Sequence, residues 1–312
     1  MQFYLSALLF VLAAHVTLGQ QVQWKSIRVT EENEFFNVTS RGIDRYYTQG
    51  LRVELFYQAD KRKWIEKILI PASPASVNDY SISLSQKIYT PNRKYSYIFL
   101  GDMPYSATLF LSQALRSRDS ARQLTLTSRL DAGIIGPAAL GRNTQSFFHK
   151  LIHNGPGWGW PTQMRNDIYL NYALKFEKAI TKKNSLLKLE GKGEVNMGTV
   201  LVSVVPGLNI ESKRWLSRSK NFSAHIFFRP ELRVVLYNAL LQGGILNQAY
   251  AEEFYSQYFI KKIKPLVYSH TTGFEIRFNR MELLYRQTNL TREFTGQKPH
   301  WYGTVMLTFP LH

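Results

Sequence analysis

YYTQGLRVELFY, residues 46–57, alternates along its length: Leu51, Val53, Leu55 and Tyr57 fall on one side of an extended chain, and Arg52, Glu54 and Phe56 on the other. Successive side chains of a strand point to opposite faces, so this pattern predicts a strand with one apolar and one polar face. The period returns in YSISLSQKIY, residues 80–89, where Ser81, Ser83 and Ser85 oppose Ile82, Leu84 and Gln86. A soluble sandwich fills its core from both sheets and needs more continuously apolar strands. A wall with one wet face and one oily face is the pattern of a transmembrane barrel.

Outward from these two runs, similar segments recur. Lys25–Thr30 precedes them, and Tyr105–Leu115 and Arg122–Ile134 form a pair around a polar turn at Ser117-Arg118-Asp119-Ser120. Ile168–Ile180, Ser185–Val195, Thr199–Ile210, Ala224–Tyr237, Tyr258–His270, Thr272–Thr288 and Trp301–Phe309 follow. That makes about twelve strands, an even number of the kind closed membrane barrels use. Most are roughly nine to thirteen residues, near the length of a tilted spanning strand. Short turns are expected at Lys182-Lys183-Asn184 and Asn196-Met197-Gly198, with longer connections on the other side at Glu211–Ser223 and Asn289–His300. The chain carries 18 Tyr and 19 Phe. Tyr46, Tyr47, Tyr105, Tyr258, Trp301 and Tyr302 fall at strand ends, where interfacial girdles would sit. Such barrels usually end on an aromatic residue, whereas this chain continues from Phe309 through Pro310-Leu311-His312.

The 312 residues include 39 Lys and Arg against 22 Asp and Glu, a net charge of +17 spread along the chain. The excess favours anionic partners. No basic helix or zinc-finger spacing accompanies it, so no nucleic-acid partner is expected. Cysteine is absent. That removes thiolate metal sites, cysteine nucleophiles and disulfide frameworks together. Residues 1–19, apolar from Leu5 to Leu18 and small near Gly19, read as a secretory signal peptide, leaving 20–312 as a single barrel domain. No later stretch approaches the roughly 18 apolar residues of a spanning helix. Export without cysteine fits the bacterial envelope.

Chemistry concentrates in LDAGIIGPAALGRNTQSFFHKLIHNGPGWGWPTQM, residues 130–164. It opens as the end of a strand, turns at Gly136-Pro137, and predicts a short helix over Asn143–Ile152 before a Gly/Pro/Trp-rich segment. Gln145 and His149 are four residues apart, on one helix face. Imidazole suits proton transfer near neutrality. His149 and His153 also share this spacing, but the intervening KLI supplies no acid and no third metal ligand is evident. Phosphate loops, nucleophile elbows and HExxH are absent.

Five ordered motifs over residues 29–175 carry a resemblance: ENEFF, DRYYTQG, QKIYTP, GDMPYSATLFL, and AGIIGPAALG followed by Gln145, His149 and GWGWPTQM. Together they resemble the lipid A 3′-O-deacylase family of outer-membrane barrels, the LpxR type; the C-terminal half matches only as generic barrel strands. The resemblance implies an all-β, antiparallel twelve-stranded outer-membrane barrel with a short helix in an extracellular loop. It also implies calcium-dependent hydrolysis of a fatty acyl ester of lipid A at the outer leaflet, by a monomer. Carried over by motif, His149 is the general base with Gln145 beside it, and Thr48 is the active-site hydroxyl of the YYTxG motif. Asn33 and Glu34 stand near the calcium, and Lys94 or its neighbour Arg93 near the lipopolysaccharide. Two positions depart from the pattern. Glu34 replaces an Asp, and Gly155 stands where an acidic residue is usual.

The chemistry is coherent in itself. Water attacking an ester develops oxyanion charge that a hard cation stabilises, and calcium prefers oxygen ligands of the kind Asn33, Glu34 and Thr48 offer. Consecutive strand residues point to opposite faces, so Asn33 and Glu34 share an ion only if the strand ends or bulges there. Two other readings stay open: a barrel with a structural or ligand-binding role, motivated by Glu34 and Gly155, and an outer-membrane phospholipase-like acyl hydrolase.

Overall fold

The computed structural model of the chain describes residues 22–38, 45–59, 65–92, 102–151, 159–182, 185–213, 215–216, 221–247 and 263–311. Its strands in chain order are β1 (Val22–Asn33), β2 (Tyr46–Ala59), β3 (Val77–Thr90), β4 (Ser106–Asp119), β5 (Leu124–Ile135), β6 (Asp167–Ala179), β7 (Leu187–Gly198) and β8 (Leu201–Ser212). The two-residue β9 (Trp215–Leu216), β10 (Phe222–Asn238), β11 (Leu266–Phe278), β12 (Met281–Leu290) and β13 (His300–Pro310) complete the set. Neighbours pair antiparallel in order, and β13 pairs back onto β1 from Ser26↔Pro310 to Asn33↔Gly303. β9 only extends the edge beside the start of β10. Twelve long strands thus close a barrel. Closure leaves no unpaired edge, which is what a bilayer requires of a sheet.

Cross-strand register separates the two faces. Leu111, Ile168, Leu170, Val204, Ile226 and Leu307 are exposed on the outward face, as lipid-facing residues should be. The inward face is charged. Arg52 pairs with Glu54 at 2.7 Å, Arg129 with Asp131 at 2.9 Å, Lys175 with Glu177 at 2.8 Å, and Arg286 with Glu32 at 2.9 Å. Ser81, Ser83 and Ser85 belong to this inward face, and Ser81 donates to Glu54 at 2.8 Å. No helix among the described residues is long and apolar enough to cross a membrane. The strands do the crossing.

Both ends of the wall, at Ser26 and Pro310, lie at one end of the barrel. The strand ends that bound the long connections 91–105, 136–166 and 239–265 lie at the other, which is therefore the extracellular end. Connection length does not follow the expected segregation. The strand ends Ser212 and Phe222 that bound one long connection lie at the end that carries the termini, opposite to the long connection 291–299. The described part of the link after β2, residues 65–76, begins beyond the termini end of β2 and β3. There it folds up the outer wall, Leu69 packing with Leu55, Tyr57, Tyr80, Ile82 and Leu115.

Other expectations change as well. β11 runs straight through Thr271 and turns at Asn279-Arg280, where Asn279 adopts φ 53, a left-handed conformation that Asn tolerates. The turn expected at residues 196–198 falls at 199–200, and the one expected at 117–120 falls at 120–123. The aromatic girdle is not where strand ends suggested: Tyr46, Tyr47 and Tyr105 are buried. Tyr47 packs against Tyr89 and Tyr302, with ring centroids at 5.3 and 4.8 Å. Tyr258 lies outside the described residues, as does the expected signal peptide. The extension past Phe309 has a structural use. Pro310 still pairs with Ser26, and the Leu311 amide donates to the Lys25 carbonyl at 2.8 Å, prolonging the closing seam.

Candidate active site

The 136–166 connection leaves β5 at Gly136, whose φ of 97 favours glycine, and the Gly136 amide donates to Ala107 of β4 at 2.9 Å. The chain then folds back over the outside of the wall. Gln86, on the outward face of β3, donates from Nε2 to the Ala139 carbonyl at 2.6 Å. Outward Ile88 packs with Tyr105, Ala107, Ala139 and Trp160. Three α-helical pieces are described: α1 (Ile65–Ile68), α2 (Gly141–Leu151) and α3 (Ala239–Gln242). α2 lies against β3 and β4. Its first residue must be small, since a Cβ on Gly141 would meet Ala107 Cβ at 2.4 Å and Trp160 at 2.7 Å.

Gly141, Gln145 and His149 are the buried positions of α2, one every four residues, while Arg142, Asn143, Phe147 and Lys150 are exposed. The pair singled out by spacing therefore does face the wall together. Gln145 Oε1 accepts from Trp160 Nε1 at 2.7 Å, and Trp160 packs on Tyr105 with centroids at 5.2 Å. Neither Trp160 nor its bond follows from spacing; the GWGWP run only marks a tight turn. Trp160→Phe keeps the ring packing but strips the buried Gln145 oxygen of this donor. It is expected to cost about 1–3 kcal/mol in unfolding free energy, measured by urea titration in detergent.

Thr48 reaches the same outer wall through a bulge. Tyr47 pairs with inward Tyr89 and Gln49 pairs with outward Ile88, so Thr48 is an extra residue between them. A bulge re-aims a side chain that strict alternation would send to the other face. Thr48 Oγ1 lies 2.6 Å from Thr90 Oγ1, both hydroxyls buried. Gln49 donates from Nε2 to Glu31 Oε1 at 3.0 Å, adding an amide–carboxylate pair to the outward face. Thr90, Gln49 and Glu31 were not singled out by the sequence. An acid on the outward face of a spanning strand, tied to a buried amide, was the signal available.

Asn33 and Glu34 sit one strand further along. β1 ends at Asn33, and a 3-10 turn, Glu34–Phe36, follows at once. Asn33 Oδ1 caps this turn by accepting from the Phe35 amide at 2.8 Å. Buried Glu34 accepts from the Arg45 amide through Oε2 at 3.0 Å, just before β2. The end of the strand is what lets two consecutive side chains lie on one turn. Across the wall the order is then Asn33–Glu34 at β1, Thr48 at β2, Thr90 at β3, and the Gln145–His149 face over β3 and β4. Arg93, Lys94, His153 and Gly155 lie outside the described residues. Among the described residues no group of three His, Cys, Asp or Glu side chains could hold a metal ion. The oxygen donors Asn33, Glu34 and Thr48 nevertheless suit a hard cation in kind.

The family model described as outer membrane protein LpxR matches residues 3–311. This chain belongs to the LpxR family. The match extends well past residue 175, where the recognisable motifs stop. The solved structure of LpxR from Salmonella typhimurium aligns with a TM-score of 0.72 at 19% identity, covering 91% of this chain and 99% of that one. The β domain of the Bordetella autotransporter BrkA aligns with a TM-score of 0.47 at 8% identity, covering 92% and 98%. No curated protein matches. Membership places this LpxR-family chain in the outer membrane.

Proposed function

We propose that this LpxR-family barrel is a lipid A deacylase, a monomeric carboxylic ester hydrolase that removes a 3′-O-linked acyl chain at the outer leaflet. One observation carries the reading: the buried Gln145–His149 face of α2 and the bulge-turned Thr48 belong to the lipid side of the wall, not to the lumen. In this proposal His149 takes a proton from water, whose oxygen bonds to the acyl carbonyl carbon. The carbon–oxygen bond to the sugar then breaks, and the sugar oxygen receives the proton held by His149. Gln145, fixed by Trp160, orients the helix face, and Thr48 contributes a hydroxyl at the wall. Asn33, Glu34 and Thr48 are the oxygen donors proposed for calcium, which when bound would stabilise the developing oxyanion. Arg93 and Lys94 are proposed to contact the lipid A phosphates.

Mass spectra of lipid A from cells with and without the protein test this directly. The expected result is a loss of one ester-linked acyl group, suppressed by chelation and restored by calcium. Unchanged lipid A in the presence of calcium would favour a binding barrel, the reading that Glu34 and Gly155 motivate. Release of fatty acid from glycerophospholipid alone would favour a phospholipase.

A further inference from the structure

α2 has a second face that the hydrolytic reading does not use. Arg142, Asn143, Ser146, Phe147 and Lys150 line a shallow depression of about 390 Å³ on it. Phe147 is 56% exposed, on the side of the helix turned away from Gln145 and His149. An open ring on the outside of the barrel is suited to contact with lipid, as Leu111 and Leu170 are on the wall itself. Arg142 and Lys150 are both exposed, and neither forms an ion pair or hydrogen bond among the described residues. They stand eight residues apart, about 12 Å along the helix axis. Because the other face of α2 is pressed on the outer wall at the extracellular end, this one is turned away from the barrel.

Two unpaired cations with an exposed ring between them match an anionic lipid whose headgroup carries a phosphate at each end and whose acyl chains begin beneath it. We propose that the outward face of α2 docks a second lipopolysaccharide molecule through its lipid A phosphates, separate from the one facing His149. Arg142 and Lys150 take one phosphate each, by charge-assisted contacts, and Phe147 lies along the first acyl carbons. The helix is then held between the wall and a bound lipid. This docking needs no turnover; the count of two lipids rests on the deacylase reading, whereas the loss of one bound lipid on removing Arg142 and Lys150 is expected whether or not a lipid also binds at His149.

The test uses the full chain carrying His149→Gln, titrated with diphosphorylated lipid A in detergent and read by native mass spectrometry. Two bound lipids are expected. Adding Arg142→Gln and Lys150→Gln should leave one, with the second association weakened about thirtyfold. Phe147→Ser, which leaves both charges in place, should weaken it as well. Equal occupancy with and without the two cations would overturn the proposal, as would phosphatidylethanolamine filling the second position as well as lipid A does.

Discussion

Replacing His149 by Gln is expected to lower lipid A deacylation by about 10²–10⁴-fold, the range that loss of a positioned general base produces. Gln keeps a polar side chain of similar reach at a buried position of α2, so helix docking should persist. The helix is held independently, by Gln145 to Trp160 at 2.7 Å and by Gln86 to the Ala139 carbonyl at 2.6 Å. A positioning role would show as a milder loss and an unchanged pH profile. A base shows instead as loss of the limb that reports imidazole titration, with KM little altered and kcat carrying the defect. A variant that still deacylates at near wild-type rate would remove His149 from the chemistry and leave Thr48 and Glu34 to be reconsidered.

The second large effect belongs to the lumen. Glu32 accepts the Tyr47 hydroxyl, Arg286 at 2.9 Å and Thr304 at 3.3 Å, and both members of the ion pair are largely shielded. Glu32→Ala leaves the Arg286 guanidinium without its counter-ion, and breaking a buried pair from one side costs about 3–5 kcal/mol. The expected outcome is a marked fall in the urea midpoint of the folded barrel. Glu32→Met combined with Arg286→Leu removes both charges and should recover most of that loss. If the single and double variants unfold alike, packing rather than charge holds this part of the lumen.

Much of the wall was legible because a period of two is a strong local signal. Residues 46–57 and 80–89 pair in register across β2 and β3 with Val53 opposite Leu84 and Glu54 opposite Ser83. What failed was non-local. The His270-Thr271-Thr272-Gly273 run looks like a turn by composition, yet it is mid-strand because Thr271 meets Thr288 across the hairpin, hydroxyl to hydroxyl at 3.1 Å. Tyr46, Tyr47 and Tyr105 have girdle composition, but composition does not say whether a ring faces lipid, lumen or a folded-back loop.

The site divides the same way. The four-residue spacing of Gln145 and His149 was readable, and the helix buries both. The face taken by Thr48 was not, since one extra residue in β2 inverts the inference drawn by alternation from Leu51 at Thr48 and at Tyr47 before it. Trp160 as a partner of Gln145 needed the loop to return on itself, which no pattern within residues 130–164 encodes.

On the proposed deacylase reading, that one extra residue bears on how encounters happen. With the threonine turned outward, a reactant already dissolved in the leaflet arrives by sliding in two dimensions and never has to pass through the charged bore. Turnover should accordingly follow the surface mole fraction of the reactant, falling as inert lipid dilutes it within the same membrane, and should be indifferent to its total amount per volume of suspension.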